Sequence, residues 1–163
     1  MIWFTRPPSS GKTTLALALE QRLFAKGHQV FVLDGDKIRS RLNADLGFGP
    51  EDRSENIRRV SEVASLFSEV GFIVISAFIS PYENDRDRAR ATAGDRFHLV
   101  HIEADTVTCE MRDPNGLWRK AREGEIQDFT GVDSQYEVPK NPDLVINTQY
   151  SSVEECVEQL LDY

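Results

Sequence analysis

Hydrophobic and polar positions along the chain form two alternating patterns. Short, nearly continuous apolar runs, typical of buried β-strands, lie at residues 2–5, 29–33, 72–78, 97–102 and 144–146. Between them, apolar side chains recur every three or four positions, as on one face of a helix, at Leu15, Leu19 and Leu23, along residues 57–70, and at Val153, Val157, Leu160 and Leu161. Because strands and helices alternate, the pattern predicts an α/β fold with a parallel sheet and helices on both faces.

Residues 114–142 depart from this pattern, since they are polar, contain glycine and show only weak periodicity. A stretch of that length is long for an inert connection. We therefore expect a mobile lid or binding segment inserted into a single domain that spans residues 1–163.

Composition narrows the possible functions. The chain is 40% hydrophobic and 28% charged, with 27 acidic and 19 basic side chains and a net charge of −8. This excess argues against a nucleic acid polymer or an anionic membrane as the general partner, although a pocket can still favour a small anion locally. The longest apolar run is shorter than the roughly 20 residues of a membrane span. No signal-peptide pattern is visible, and the two cysteines fit a reducing compartment, so we expect a cytoplasmic protein.

A phosphate-binding motif lies between the first strand and the first helix. Gly11, Lys12 and Thr13 stand where the pattern of Gly, four residues, Gly-Lys-Ser/Thr requires them. Backbone N–H groups at the start of a helix attract phosphate, Lys12 would neutralise it, and the Thr13 hydroxyl would ligate Mg²⁺. The alternative is an ordinary helix start, but the strand-to-helix context favours the phosphate loop.

The same motif is altered in its first half, where Arg6, Pro7 and Pro8 replace the usual start of the loop. Each proline lacks a backbone donor, and the loss of two phosphate contacts would weaken ATP binding by about two to four orders of magnitude. Donors closest to the phosphates are expected later, from Ser9 to Thr13. Arg6 matters more if its position requires a backbone conformation that only glycine adopts easily.

Acidic and basic side chains follow the second strand. Asp34 and Asp36 end it at the edge where ligands bind to parallel sheets, and they could hold Mg²⁺ through water and accept a proton from a hydroxyl. A tight turn at Asp-Gly is the alternative. Five of the nineteen basic residues, Arg39, Arg41, Arg53, Arg58 and Arg59, lie close behind. They form either a solvated helix face, with the pairs Glu55–Arg59 and Arg58–Glu62, or a site for a second anionic substrate.

Phe48 and Ser80 are each open to two interpretations, whereas the histidines allow one. Phe48 lies on a loop and is either a packing residue or a platform on which a base stacks. Ser80 follows the third strand as a turn residue or as a hydroxyl directed at the phosphates. His98 and His101 lie three residues apart on a strand, which places them on opposite faces and predicts no metal site.

Several motifs together resemble the adenylyl-sulfate kinase (APS kinase) family along nearly the whole chain. They are WFT at 3–5, SGKTT at 10–14, LDGD at 33–36 with Arg39, DLGF at 45–48, DRSENIRR at 52–59, ISPY at 79–82 with DRD at 85–87, CEMRDPNGLW at 109–118 and DFTGVDSQYE at 128–137. The motif FTGVDS is far more specific than any phosphate loop.

This resemblance implies a P-loop kinase fold and transfer of the ATP γ-phosphate to the 3′-hydroxyl of adenylyl sulfate, in sulfate assimilation. The product would be 3′-phosphoadenylyl sulfate, the cofactors ATP and Mg²⁺, and the usual assembly a homodimer. The lid would cover approximately residues 112–137.

The resemblance also implies roles for individual residues. ATP would be held by Ser9, Ser10, Gly11, Lys12, Thr13, Thr14 and Arg112. Asp34 and Asp36 would organise magnesium water and the attacking hydroxyl, with Thr13 and Asp34 near the metal. Adenylyl sulfate would be held by Arg39, Arg53, Asn56 and the Ile79 backbone, with its adenine between Phe48 and Phe129. Ser80 matches a serine that the family describes as phosphorylated, although direct in-line transfer needs no covalent intermediate.

The chain departs from the family pattern in three places. The family loop reads approximately Gly-Leu-Ser-Gly-Ser-Gly-Lys-Thr, Lys37 replaces a usual asparagine, and the usual N-terminal extension is missing, so contacts through it are expected to be absent. Two alternatives remain open: a kinase for another modified nucleotide, and a nucleotide-binding pseudokinase with the altered loop Arg6-Pro7-Pro8.

Overall fold

The computed structural model describes all 163 residues. Its strands are β1 (Ile2–Thr5), β2 (Val30–Asp34), β3 (Ile73–Phe78), β4 (His98–Glu103) and β5 (Leu144–Asn147). Its helices are α1 (Lys12–Ala25), α2 (Gly35–Arg39), α3 (Pro50–Glu69), α4 (Glu83–Ala93), α5 (Thr106–Arg112), α6 (Leu117–Arg122) and α7 (Val153–Asp162), with a short 3₁₀ helix at Gly94–Arg96.

All five strands pair in parallel, in the order β2-β3-β1-β4-β5. Consecutive side chains of β1 point to opposite faces of the sheet. Phe4 packs with α1 and α7 on one face, while Trp3 packs with α3 and α4 on the other. Both residues are fully buried. This architecture confirms the predicted α/β fold with a parallel sheet and helices on both faces.

The carboxyl ends of three neighbouring strands position the site. β1 runs into residues 6–11 and then α1, β2 ends at Asp34 before α2, and β3 runs into residues 79–82 before α4. Because β3 lies between β2 and β1, these three ends meet at one edge of the sheet. Ligands bind to open α/β sheets at this edge.

Two local features differ from the sequence pattern. Helix α3 begins at Pro50, before the apolar repeat that starts at Ile57. Its first turns carry polar side chains, such as Arg53 and Asn56, because they line the site described below. Proline is well suited to the first position of a helix, where no N–H is needed.

The segment after α5 contains more structure than its weak periodicity indicated. Helix α6 lies within it, and Trp118 and Phe129 join Ala104, Cys109 and Ala121 in a small core of their own. No helix in the structure has the length and apolar character needed to cross a membrane.

Candidate active site

A cavity of about 900 Å³ opens at the carboxyl edge of the sheet. Such a volume is at the upper end of those typical for small-molecule sites. Its wall includes every residue to which the family resemblance gave a role, namely Ser9, Ser10, Gly11, Lys12, Thr13, Thr14, Asp34, Asp36, Arg39, Phe48, Arg53, Asn56, Ile79, Ser80, Arg112 and Phe129. This one cavity is therefore lined by the phosphate loop, by the acid pair of Asp34 and Asp36, and by an aromatic–arginine group that consists of Arg39, Phe48, Arg53 and Phe129.

Lys12 lies inside the turn of the phosphate loop. Its Nζ donates hydrogen bonds to the Arg6 carbonyl at 2.8 Å, the Pro7 carbonyl at 2.9 Å and Ser10 Oγ at 3.2 Å. Burial lowers the pKa of Lys12 from 10.5 to about 8. The ammonium is thus held by neutral oxygens, and a phosphate in the cavity would offer it a stronger, charged partner.

The altered half of the loop has ordinary backbone at Arg6, contrary to the concern that this position needs glycine. Arg6 has no positive φ, whereas Ser9 has φ +63° and Gly11 has φ +92°. The strained, left-handed conformation therefore falls on Ser9. The carbonyls of Pro7 and Pro8 accept hydrogen bonds from Lys12 and from Trp118 Nε1, respectively, so the prolines contribute through their acceptors.

The Arg112 side chain is linked to the phosphate loop through Thr148, which directly follows β5. Its guanidinium donates to Thr148 Oγ1 at 3.3 Å and to the Thr148 carbonyl at 2.5 Å. Thr148 Oγ1 in turn donates to the Ser10 carbonyl at 2.9 Å. Arg112 is exposed and lines the cavity, so it places a positive charge beside the loop.

Thr13 and Asp34 bring two oxygens together at the start of α1. Thr13 Oγ1 donates to Asp34 Oδ2 at 2.7 Å. The other oxygen of Asp34 accepts from the backbone N–H groups of Asp36 and Lys37 at 3.2 and 3.3 Å, which caps α2. Asp36 lies exposed on the first turn of that helix. The Asp-Gly pair therefore starts a helix rather than a hairpin.

Arg39 and Arg53 both have partners that the sequence did not reveal. Arg39 donates to the Gly47 carbonyl, and its guanidinium lies 4.7 Å from the centre of the Phe48 ring. Arg53 is buried and donates to the Phe48 carbonyl at 2.7 Å, to Thr130 Oγ1 at 2.8 Å and to the Asp128 carbonyl. Arg53 thus ties the loop of Phe48 to the segment that carries Phe129.

The two aromatic candidates differ in their surroundings. Phe48 is 60% exposed, whereas Phe129 is 7% exposed and packs edge-to-face on Trp118 with ring centres 5.2 Å apart. Gly131 makes this packing possible, because a Cβ at that position would lie 2.7 Å from Trp118 Cη2. Phe129 is therefore a fixed wall of the cavity, and Phe48 is an exposed one.

The end of β3 is held by residues that sequence reasoning missed. Ser80 has φ +44° and is 1% exposed, and its Oγ accepts a hydrogen bond from Trp3 Nε1 at 2.8 Å. Its carbonyl accepts from the buried Arg86 at 2.6 Å. On the neighbouring helix, Asn56 accepts from Asn43 Nδ2 at 2.9 Å. Trp3 lies 77 residues from Ser80 in the sequence, and no local pattern indicated any of these contacts.

Two other arginines of the cluster, Arg58 and Arg59, form surface ion pairs. Arg59 contacts Asp45 and Glu55 at 2.8 Å, which includes the expected Glu55–Arg59 pair. Arg58 contacts Glu55 at 2.7 Å, instead of the expected Glu62. The solvated-face interpretation therefore holds for these two arginines, whereas Arg39 and Arg53 line the cavity.

Comparison with known proteins assigns the chain to a family. A family model described as adenylylsulphate kinase matches residues 1–147. The adenylyl-sulfate kinase of Bacillus licheniformis is 55% identical over 164 residues, which cover 100% of this chain and 83% of that protein. The Mycobacterium tuberculosis APS kinase solved in complex with AMPPNP and APS is 44% identical with a TM-score of 0.95, covering 99% of this chain and 94% of that one. A hexameric APS kinase from Thiobacillus denitrificans is 30% identical with a TM-score of 0.72, and the match covers 98% of this chain and 27% of that one.

Proposed function

We propose a reaction for this chain from the fact that it belongs to the adenylylsulphate kinase family. The chain transfers the γ-phosphoryl group of ATP to the 3′-hydroxyl of adenylyl sulfate, which gives 3′-phosphoadenylyl sulfate for sulfate assimilation. The observation that carries this proposal is the single cavity in which the phosphate loop, the acid pair and the aromatic–arginine group meet.

ATP phosphates bind in the turn of the phosphate loop. Backbone N–H groups from Ser9 to Thr14 surround the start of α1, where the helix dipole favours negative charge. Lys12 exchanges its carbonyl partners for phosphate oxygens, and Arg112 adds a second positive charge at the rim. Electrostatic stabilisation of the transferred group is the main contribution of these residues.

Mg²⁺ fits the oxygen pair at the start of α1. The Thr13 hydroxyl and an Asp34 carboxylate oxygen lie 2.7 Å apart, and hard oxygen ligands of this kind suit Mg²⁺. No group of three or more His, Cys, Asp or Glu side chains gathers there, which matches an ion that keeps water and phosphate in most positions. When bound, the ion neutralises charge on the phosphates.

Asp36 serves as the general base for the acceptor hydroxyl. It lies on the first turn of α2, exposed to the cavity and beside Asp34, which is tied to Thr13 and to the α2 backbone. Ser80 does not act as a nucleophile, because its Oγ is buried and bonded to Trp3. Its contribution is the backbone bend that directs the chain after β3 along the cavity. Transfer is direct from ATP to the acceptor.

Adenylyl sulfate occupies the part of the cavity formed by α2, α3 and the segment around Phe129. Its adenine lies between Phe48 and Phe129, while its anionic groups face Arg39 and Arg53. Asn56 and the backbone of Ile79 complete the pocket. The segment 112–137 closes over both nucleotides as a lid.

Location and assembly complete the proposal. Both cysteines are unpaired, which is consistent with the reducing cytoplasm. The chain forms a homodimer, an assembly that size-exclusion chromatography with light scattering measures directly.

An acceptor panel tests the reaction. The purified protein is incubated with Mg²⁺, ATP and one of three acceptors, which are adenylyl sulfate, AMP and adenosine 5′-phosphoramidate, in which an amino group replaces the sulfate. The products are identified by mass spectrometry and ³¹P NMR. We expect a 3′-phosphate on adenylyl sulfate at the highest kcat/KM. Preference for another acceptor would support the alternative of a kinase for a different modified nucleotide, and turnover of none would support the pseudokinase.

A further inference from the structure

The Arg6 side chain replaces the first glycine of the phosphate-loop pattern and extends away from the cavity. Arg6 does not line the cavity, although its own carbonyl accepts a hydrogen bond from Lys12 Nζ at 2.8 Å. Whatever holds Arg6 in place therefore also holds an oxygen that positions Lys12. The contacts of Arg6 therefore reach the site through this loop.

The Arg6 guanidinium is anchored at the end of β4 and just beyond it. Nη1 lies 3.2 Å from His101 Nε2, and Nη2 donates to the Ala104 carbonyl. The guanidinium also lies 5.7 Å from the centre of the Tyr136 ring, a distance at which a cation is attracted to an aromatic face. Two elements distant in sequence therefore meet on this one side chain.

These contacts form a closed layer behind the loop. The rings of His101 and Tyr136 are nearly parallel with centres 6.4 Å apart, and the Tyr136 hydroxyl lies 3.0 Å from Thr5 Oγ1, one residue before Arg6. His101 is buried, and burial together with Arg6 keeps its pKa well below 6.5. A neutral imidazole can present Nε2 as an acceptor for the Arg6 donor.

One property of this layer argues against a purely stabilising role. The Nε of Arg6 is buried without a hydrogen-bond partner, which is a cost to folding. The contacts that its guanidinium does make join the first residue of the loop to β4 and to Tyr136. A side chain that fixes loop geometry explains both facts.

We propose that Arg6 is a positioning residue for ATP, which fastens the first turn of the phosphate loop to β4 and to Tyr136 and so holds Lys12 where the phosphates bind. This inference rests on the proposed ATP-dependent activity. It assigns a use to the residue that, from the sequence, pointed to a defective loop.

Nucleotide affinity and steady-state kinetics test the proposal. Arg6→Met retains the apolar stem but loses the hydrogen bonds, so we expect the AMPPNP Kd and the KM for ATP to rise about tenfold. We expect kcat at saturating ATP and the KM for adenylyl sulfate to stay within about twofold, because Arg6 touches neither substrate. Arg6→Lys should recover part of the affinity, and Arg88→Met, at an exposed arginine on α4, should change nothing.

A second variant keeps the test valid if Arg6→Met fails to fold. His101→Leu leaves Arg6 in place but removes its imidazole acceptor, and it should raise the KM for ATP several-fold. The proposal is overturned if Arg6→Met and His101→Leu bind AMPPNP as tightly as the unmodified protein, or if kcat falls while the KM for ATP stays constant. If the unmodified protein itself does not bind AMPPNP, the proposed function fails, which is a separate result.

Discussion

The lowered pKa of Lys12 makes ATP affinity depend on pH in a window where most lysines do not titrate. This pKa lies at about 8 instead of 10.5, mainly because Lys12 is buried; Arg6 contributes to the lowering, while Cys109, Asp34 and Asp36 oppose it. Bound phosphates favour the ammonium form, so nucleotide binding raises this pKa again. The protein must therefore take up a proton when it binds ATP above pH 8.

The size of this effect follows from the pKa. With a value of about 8, Lys12 is about nine-tenths protonated at pH 7 and about one-tenth protonated at pH 9. If ATP binds the ammonium form, the apparent Kd rises about tenfold between these pH values, and binding at pH 9 takes up about 0.9 proton. Burial raises the pKa of Tyr136, so that neighbouring hydroxyl stays neutral across the window.

Isothermal titration calorimetry with AMPPNP measures both the Kd and the proton uptake. Titrations at pH 7, 8 and 9, each in two buffers of different ionisation enthalpy, give the Kd and the number of protons taken up. Lys37→Gln is the matched control, because it removes an exposed lysine on α2 at the same edge of the sheet and should retain the full pH dependence. A constant Kd from pH 7 to 9 without proton uptake would refute the reasoning.

Three further predictions concern strain, packing and chemistry. Ser9→Gly should raise the free energy of unfolding by about 1 kcal/mol, because it removes the strain at φ +63°, and no gain in a denaturant titration would contradict this. Gly131→Ala should lower the free energy of unfolding by about 2–3 kcal/mol, because its Cβ would lie 2.7 Å from Trp118 Cη2. The control Gly124→Ala, at a position with positive φ but open space, should lower it by only about 1 kcal/mol. Equal losses in the two variants would argue against the packing role of Gly131. Asp36→Asn should lower kcat at least about 100-fold with an unchanged melting temperature, and near-normal turnover would rule out a general base.

The strands were the most predictable part of the fold, for a physical reason. A parallel strand covered on both faces is nearly continuously apolar, and in β3 only Ser76 interrupts the apolar run. The start of α3 was harder to place, because its first turns carry Arg53 and Asn56 toward the cavity and so lack an apolar stripe. In that helix, the polar residues that line the cavity interrupt the apolar periodicity.

The candidate residues were predictable from motifs, but their partners were not. Arg53 contacts Asp128 and Thr130, and Trp3 contacts Ser80, across more than 70 residues of sequence. Such pairs depend on which elements become neighbours in the fold, and this information is absent from any local pattern. The same limit explains why the sequence placed the backbone concern at Arg6 rather than at Ser9, since the φ angles of a loop follow from its tertiary contacts.

The most direct test of the account is the turnover number of the unmodified protein with Mg²⁺, ATP and adenylyl sulfate, measured beside Arg6→Gly. The intact loop geometry around Lys12 predicts formation of 3′-phosphoadenylyl sulfate at about 1–100 s⁻¹, as is typical of kinases, with no gain in kcat or ATP affinity for Arg6→Gly. Absence of turnover in the unmodified protein, together with activity in Arg6→Gly, would contradict the account, because it would show that the altered loop is a defect.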